Sequence, residues 1–298
     1  MNSKLKIKAY AKVNLLLDVV GRRADGYHEL AGIMQRISLF DEAELLVRES
    51  GAFSVETAFD EPVPENNTAR KAAQIYMDGA PFDVKIRIKK HIPSEAGLGG
   101  ASADAAAVLR GLNAVFKGTG LEKSEDELAR IGLAVGADVP FCLAGGCALA
   151  EGVGERLSPL PVRPLELFVI KGERGVSTPA LFRLFDEQAD GASRLPENAL
   201  DNAVAAVEEG DIRGIGKYML NALQPAALGI APEIGAYTEL LRACGACGAC
   251  MTGSGSAAVG LFENAADAAE LENRLRKGLP LPVKIPAPQF FAACRAIE

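Results

Sequence analysis

The stretch Pro93-Ser94-Glu95-Ala96-Gly97-Leu98-Gly99-Gly100-Ala101-Ser102-Ala103-Asp104-Ala105-Ala106 restricts the fold of this chain more than any other. Residues 83–89 before it alternate polar and apolar side chains with period two, as a half-buried strand does. Residues 102–116 after it are dominated by good helix formers. A glycine loop between a strand and a helix is an anion site in the making. Glycine removes the side chains that hold an oxyanion away from main-chain N–H groups, and a helix opening near Ser102 aims its orphan N–H groups and positive dipole end at the loop. The loop has no Gly-Lys-Ser/Thr ending, and Ser102 stands where a dinucleotide fingerprint needs its third glycine. A glycine-rich turn with no ligand is the alternative these residues leave open.

The rest of the composition fits a globular protein. Of 298 residues, 49% are apolar and 24% charged, enough to bury a sizeable core. The net charge of −7, with no long Lys/Arg block, argues against nucleic acid or a membrane surface as partner. Any anionic ligand must then be held by local geometry. Lys4, Lys6 and Lys8 precede an apolar run, but Asn14 and Asp18 interrupt it and no small-residue cleavage site follows, so a first strand of a cytoplasmic protein is expected. Six cysteines include Cys244, Cys247 and Cys250, spaced like the first ligands of an iron–sulfur run. No fourth ligand follows at the required distance, the intervening Gly-Ala pairs suit tight packing, and no metal is expected there.

From 4 to 19 the odd positions are apolar, which puts Lys12 and Asn14 on one strand face opposite the core, where a solvated position is expected. Asp25-Gly26 signals a turn, and Tyr27 and His28 follow it at a loop edge. Asn67 stands at the entrance of a helix over 68–77. Ser124 and Glu127 form a capping box for a helix ending at Gly136. Asp138 then lies in apolar company at a helix-to-loop junction, as a catalytic carboxylate or a helix N-cap. The Gly- and Pro-rich stretch 152–164 marks a boundary between domains 1–158 and 159–298. In the second half, helices are expected over 178 onward, 198–209, 211–223, 232–243 and 265–277, with strands at 165–170, 257–262, near 283 and 290–296. Gly253-Ser254-Gly255-Ser256 is a second glycine turn that caps a hairpin or closes over a ligand.

Ala11-Lys12-Val13-Asn14, residues 93–106 and Gly253-Ser254-Gly255-Ser256-Ala257 resemble, in order and spacing, the three motifs of the GHMP kinases, which include galactokinase, homoserine kinase and mevalonate kinase. Arg23-Ala24-Asp25-Gly26-Tyr27-His28-Glu29-Leu30 and Gly136-Ala137-Asp138-Val139-Pro140 are similar to the branch of that superfamily acting on a cytidyl-diphosphate sugar alcohol in the non-mevalonate isoprenoid route. The resemblance implies an α+β, two-layer fold: a ribosomal protein S5 domain 2-like N-terminal half, a ferredoxin-like C-terminal half and an active site in the cleft between. It implies Asp138 as proton acceptor from the substrate hydroxyl, with Lys12 as its catalytic companion. Asn14, Tyr27, His28 and Phe182 would meet the substrate, the three rings at its cytosine end with Phe182 as the second face of an aromatic sandwich. Asn67 would lie near adenine. Pro93, Ala96, Gly97, Leu98, Gly99, Gly100, Ala101, Ser102 and Ala103, with Gly253 and Ser254, would hold ATP. Mg²⁺ would ride on the nucleotide phosphates with no protein ligand, and the enzyme would be a monomer or homodimer.

Two residues depart from the family pattern. Ala101-Ser102-Ala103 carries one hydroxyl where two are usual, and Glu95 puts a carboxylate beside the cradle. The rival expectation is another small-molecule GHMP kinase, acting on homoserine or mevalonate, which has no need of Tyr27, His28 and Phe182 to grip a pyrimidine. A metabolite-binding protein that keeps the fold without turnover is the other.

Overall fold

The computed structural model describes residues 2–189 and 195–298. The chain opens with β1 (Asn2–Arg22) and β2 (His28–Glu49), then β3 (Ser54–Phe59), α1 (Thr68–Met77), β4 (Phe82–Lys89), α2 (Gly100–Val115), α3 (Glu125–Val135) and α4 (Val139–Ala144). It continues through β5 (Cys147–Gly152), β6 (Arg156–Leu160), β7 (Glu166–Lys171), α5 (Thr178–Ala189), α6 (Ala199–Glu209) and α7 (Ile212–Lys217). The last elements are β8 (Leu220–Asn221), α8 (Gln224–Ala227), α9 (Glu233–Ala243), β9 (Gly248–Met251), β10 (Ala258–Phe262), α10 (Ala265–Lys277) and β11 (Phe290–Arg295). These elements form two compact units, each drawn from separate stretches of chain. One holds the chain up to Ala11 with Leu39–Ile92 and Gly99–Gly145; the other holds Lys12–Ser38, Pro93–Leu98 and Gly146–Glu298. No helix among the described residues is long and apolar enough to cross a membrane.

In the first unit β4 pairs antiparallel with β2, Glu42 opposite Lys89 and Glu49 opposite Phe82, and β3 runs parallel to β4. Period two decides the faces: Val84, Ile86 and Ile88 are buried while Lys85, Arg87 and Lys89 are exposed. Helix α2 packs against α1 and α4, and its run Ala105, Ala106, Ala107, Val108 and Leu109 is buried. The helix entrances are set by side chains. Asn67 Oδ1 accepts from the Arg70 N–H at the start of α1, and Ser124 and Glu127 form the reciprocal capping box of α3. Such caps satisfy N–H groups that have no partner within the helix.

In the second unit β7 lies between β11 and β10, and β10 lies between β7 and β9, all antiparallel. The sheet packs its Phe168, Ile170, Ala258 and Phe262 with Tyr237, Leu240 and Leu241 of α9 and Leu271 of α10. A second cluster gathers Leu17, Val19, Leu181, Phe185, Leu223 and Met251.

Three segments depart from the pattern read along the chain. The stretch 152–164 contains β6, which pairs with β5, Cys147 opposite Leu160. The expected helix over 211–223 ends at Lys217, and Leu220–Asn221 turns into β8, parallel to β1. Gly214 and Gly216 lower its helical propensity, and the pairing with β1 takes up the backbone that follows. No strand forms near Val283, because Pro280, Pro282, Pro286 and Pro288 each lack the N–H a ladder needs.

Candidate active site

The cradle is built more tightly than its sequence requires. Helix α2 opens at Gly100, two residues earlier than Ser102, behind Gly99 as a left-handed N-cap with φ +70° and no side-chain cap. The first intrahelical bond runs from Ala103 N–H to the Gly99 carbonyl, 2.8 Å. The N–H groups of Gly100, Ala101 and Ser102 come before it and are the donors a phosphate would use. Thr68 of α1 donates its hydroxyl to the Ala101 carbonyl at 2.6 Å, fixing this first turn. Gly97 has φ +72°, and a Cβ there would stand 2.0 Å from the Thr252 carbonyl oxygen. No larger residue fits.

The second glycine turn joins two strands and is hydrogen-bonded to the cradle loop. It caps the β9–β10 hairpin, in which Met251 faces Ala258, and it walls the loop. Ser256 and Ala257 donate their N–H groups to the carbonyls of Glu95 and Ala96, at 3.1 and 3.2 Å. Asn221 Nδ2 donates to the carbonyls of Met251 and Gly253, both at 2.8 Å, and the hydroxyls of Ser254 and Thr178 are 2.7 Å apart. Glu95 adopts φ +50° and is turned toward the segment after β7. Its Oε2 would lie 1.8 Å from a Cβ on Gly175, and its charge reaches the buried Lys171, whose pKa burial lowers against the pull of Glu95 and Glu233.

Lys12 and Asn14 do share a face, but that face is not solvated. They are only 4% and 2% exposed. Even positions are open to water from Asn2 to Lys8, whereas from Ala11 to Leu17 both faces of β1 are covered. Lys12 N–H donates to the Leu98 carbonyl at 3.0 Å, and Asn14 N–H to Thr252 Oγ1 at 2.9 Å. Lys12 Nζ donates to Asn14 Oδ1 at 2.7 Å, so the cation and the amide are held as a pair between the two glycine turns.

Asp138 occupies the N-cap position of α4, with Pro140 in the first turn, yet its carboxylate makes no cap bond. Its backbone is tied through Val139 N–H to the Gly136 carbonyl, 3.1 Å, and through Cys142 N–H to its own carbonyl, 3.0 Å. A Cβ on Gly136 would stand 3.9 Å from Ser102 Oγ, so this turn borders the first turn of α2. Asn67 sits at the entrance of α1 as expected, and its amide is fully engaged. Nδ2 donates to Thr57 Oγ1 and to the carbonyls of Pro64 and Glu65, at 3.1–3.2 Å.

Sequence separates His28 from Phe182, and the fold stacks them, ring centroids 4.6 Å apart and 22° from parallel. Phe185 meets the His28 ring edge-on. His28 Nε2 lies 2.7 Å from Asp186 Oδ1, and Arg22 Nη1 is 3.5 Å from the other carboxylate oxygen. The neighbouring Tyr27 stands 66% exposed. Rings already in stacking contact leave no room for a third between them. A base would therefore meet the His28–Phe182 stack from outside it.

The cysteine triplet is dispersed. Cys244 ends α9, Cys247 directs its thiol to the Leu261 and Ile212 carbonyls, and Cys250 is enclosed within β9, where burial pushes its thiol up to about 12. The intervening glycine is needed for contact: a Cβ on Gly248 would stand 2.2 Å from the Gly216 carbonyl oxygen. Among the described residues no three His, Cys, Asp or Glu side chains converge to hold a metal.

Residues 67–146 match the GHMP kinases N terminal domain, and residues 203–281 match the GHMP kinases C terminal domain. The chain belongs to the GHMP kinases. The matches enclose Asn67, the cradle, Asp138 and the 253–256 turn. Among curated relatives, the 4-diphosphocytidyl-2-C-methyl-D-erythritol kinase of Caldicellulosiruptor saccharolyticus is 42% identical over 91% of this chain and 92% of its own. That of Moorella thermoacetica is 40% identical over 93% and 96%. A crystal structure of 4-(cytidine 5'-diphospho)-2C-methyl-D-erythritol kinase superposes with a TM-score of 0.77 at 35% identity, covering 98% of this chain and 99% of its own. The mevalonate kinase of L. major, in complex with R-mevalonate, shares the fold at 19% identity and a TM-score of 0.74. The protein is thus an α+β small-molecule kinase of a family that uses ATP. Sequence reasoning missed several residues of this GHMP kinase that support the turns: Thr68, Asp186, Asn221 and Thr252. Asn221 and Thr252 each interrupt a mostly apolar stretch, a weak signal, and nothing local marks Thr68 or Asp186.

Proposed function

We propose that the protein transfers the γ-phosphoryl group of ATP to the 2-hydroxyl of 4-diphosphocytidyl-2-C-methyl-D-erythritol. The near full-length identity to relatives of that name carries the reading. Residues 1–158 are proposed as the N-terminal, ATP-binding domain and 159–298 as the C-terminal domain; the two family matches, 67–146 and 203–281, fall on either side of that boundary.

The loop 93–98 and the N–H groups of Gly100, Ala101 and Ser102 receive the polyphosphate. A glycine-walled loop closed by hydrogen bonds to Ser256 and Ala257 supports this, because it fixes donors where charge accumulates. Mg²⁺ neutralises phosphate charge while bound to the nucleotide. A tertiary alcohol is a far weaker acid than a carboxylic acid, so Asp138 accepts the proton late, as the oxygen bonds to a metaphosphate-like group. The place of Asp138 at the turn that borders the first turn of α2 supports this role. Lys12, oriented by Asn14, offsets charge on the phosphoryl oxygens and holds the acceptor in line. Tyr27 offers one face to the cytosine, and the Phe182–His28 stack, braced by Asp186, forms the other wall. Glu95, turned toward Gly175 and Lys171, does not oppose the phosphates from within the cradle.

The test is ADP release by purified protein with a panel of alcohols. Turnover with the cytidyl substrate and at least ~100-fold lower kcat/KM with homoserine and mevalonate is expected. The reverse order of preference overturns the substrate assignment.

A further inference from the structure

A buried ionic cluster lies under the first turn of α2. Asp41 is 0% exposed and Asp104 2%, and the Lys90 side chain between them is nearly as enclosed. Lys90 Nζ donates to Asp104 Oδ2 at 2.7 Å and to Asp41 Oδ2. Asp41 Oδ1 also accepts the N–H groups of His91 and Ile92, the latter at 2.7 Å. A Cβ on Gly100 would stand 3.5 Å from Lys90 Nζ and 3.1 Å from Ile92 Cγ2, which puts the cluster directly beneath the residue that opens the helix. Burial alone would lower the Lys90 pKa, but Asp104 and Asp41 outweigh it, and the ammonium is retained.

The cluster is unbalanced. Two carboxylates face one ammonium, and Asp104 Oδ1 is buried with no hydrogen-bond partner. Fully ionised, the three groups carry a buried net charge of −1, an arrangement that is unfavourable when uncompensated. Burial pushes the Asp104 carboxyl up to about 7, against the attraction of Lys90 and with the repulsion of Asp41. A protonated Asp104 can donate a hydrogen bond to Asp41, as in other carboxyl pairs that share a proton. Lys90 and Asp41 are the charges that act on Asp104. Of the helices around α2, α1 carries Arg70, within 3.8 Å of Glu65, and Lys71, bonded to the Ala134 and Val135 carbonyls. Helix α3 carries Glu125, Asp126, Glu127 and Arg130, α4 carries Cys142, and α2 itself carries Arg110.

We propose that Asp104 is a proton-holding positioning residue of the nucleotide cradle, and that polyphosphate binding at the N-terminus of α2 draws a proton from solvent onto the Asp104–Asp41 pair. The proton ends on a carboxylate oxygen of Asp104, no other bond changes, and the cluster passes from −1 to neutral as anionic charge arrives above it. Linkage requires the converse: a proton on the cluster tightens nucleotide binding. The inference rests on the ATP reading of the cradle, and its test separates the two.

The full chain is titrated calorimetrically with a non-hydrolysable ATP analogue in excess Mg²⁺, which leaves the nucleotide's own phosphates deprotonated. Buffers of different ionisation enthalpy report protons taken up. Wild type should take up protons at pH 8 and none at pH 5.5, with affinity weakening at least ~3-fold between them. Asp104→Asn, isosteric and without the charge, should lose both the uptake and the pH dependence, which a merely structural role would leave in place. Should that variant fail to fold, the infrared carbonyl stretch of a protonated carboxyl should appear in wild type at pH 8 on adding the analogue. Tight binding with no proton uptake, or uptake unchanged in Asp104→Asn, overturns the proton linkage alone. Absence of binding at every pH overturns the ATP reading and the linkage with it.

Discussion

Lys12 and Asp138 sit in different surroundings, and the role proposed for each is testable alone. Lys12 is enclosed and paired with Asn14, while Asp138 is half-exposed at a helix entrance that its side chain does not cap. If Asp138 accepts the proton and Lys12 offsets phosphoryl charge, Asp138→Asn and Lys12→Ala each lower kcat by at least ~100-fold with smaller effects on nucleotide affinity. Steady-state kinetics checks this, and near-normal turnover of the Asp138 variant removes it as base. In the proposed reaction the exposed ring of Tyr27 is on the acceptor side. Tyr27→Ala should raise the KM for the cytidyl substrate by roughly 5- to 150-fold, the range of one lost base–aromatic stack, and leave the KM for ATP unchanged. At this scale the sequence was informative where chemistry and local pattern coincide, as in Asp25-Gly26-Tyr27-His28. It was silent on Asp186, because nothing local marks one carboxylate of α5 as the partner of a histidine 158 residues away.

The loop 93–98 and the 252–257 turn behave as one element, since Gly97 is seated on the Thr252 carbonyl and two backbone bonds join them. Gly97→Ala forces a Cβ into that contact at a positive φ. It should destabilise the protein by about 1–3 kcal/mol and raise the KM for ATP, measured by urea unfolding and initial rates. Asn67→Ala removes the α1 cap and should cost about 1 kcal/mol by the same unfolding measurement. Elements governed by local rules were readable in advance: α1 and α10, the capping box at Ser124, and the alternation of β4 all lie where propensity and periodicity put them. The exceptions were set by distant partners. Period two correctly placed Lys12 and Asn14 on one face, but burial of that face comes from Leu98 and Thr252, which no local pattern reveals. The end of α7 at Lys217 likewise reflects the pairing of Leu220 and Asn221 with β1.

For the whole molecule, the Asp41–Lys90–Asp104 cluster links stability to pH. Asp104 has a native pKa raised from its ordinary 3.8 to about 7 by burial, against Lys90. Its contribution to stability is complete below about pH 4 and is lost as the pH rises through about 7. Carboxylates with lowered values, such as Glu42 beside His91 and Glu56 beside Lys85, act in the opposite sense and only in acid. The urea midpoint of wild type should therefore fall between pH 5 and pH 8, and Asp104→Asn should flatten that fall. The family and the α+β fold were legible from three spaced motifs; the cluster was not, since Asp41, Lys90 and Asp104 are scattered in sequence and meet only through tertiary packing. The central claim concerns the reaction itself, and phosphorus and carbon NMR of the product formed from ATP and 4-diphosphocytidyl-2-C-methyl-D-erythritol tests it most directly. The account predicts a new phosphomonoester on the tertiary 2-hydroxyl, with one ADP released for each. Absence of that ester, or a phosphate on any other oxygen of the acceptor, would contradict it.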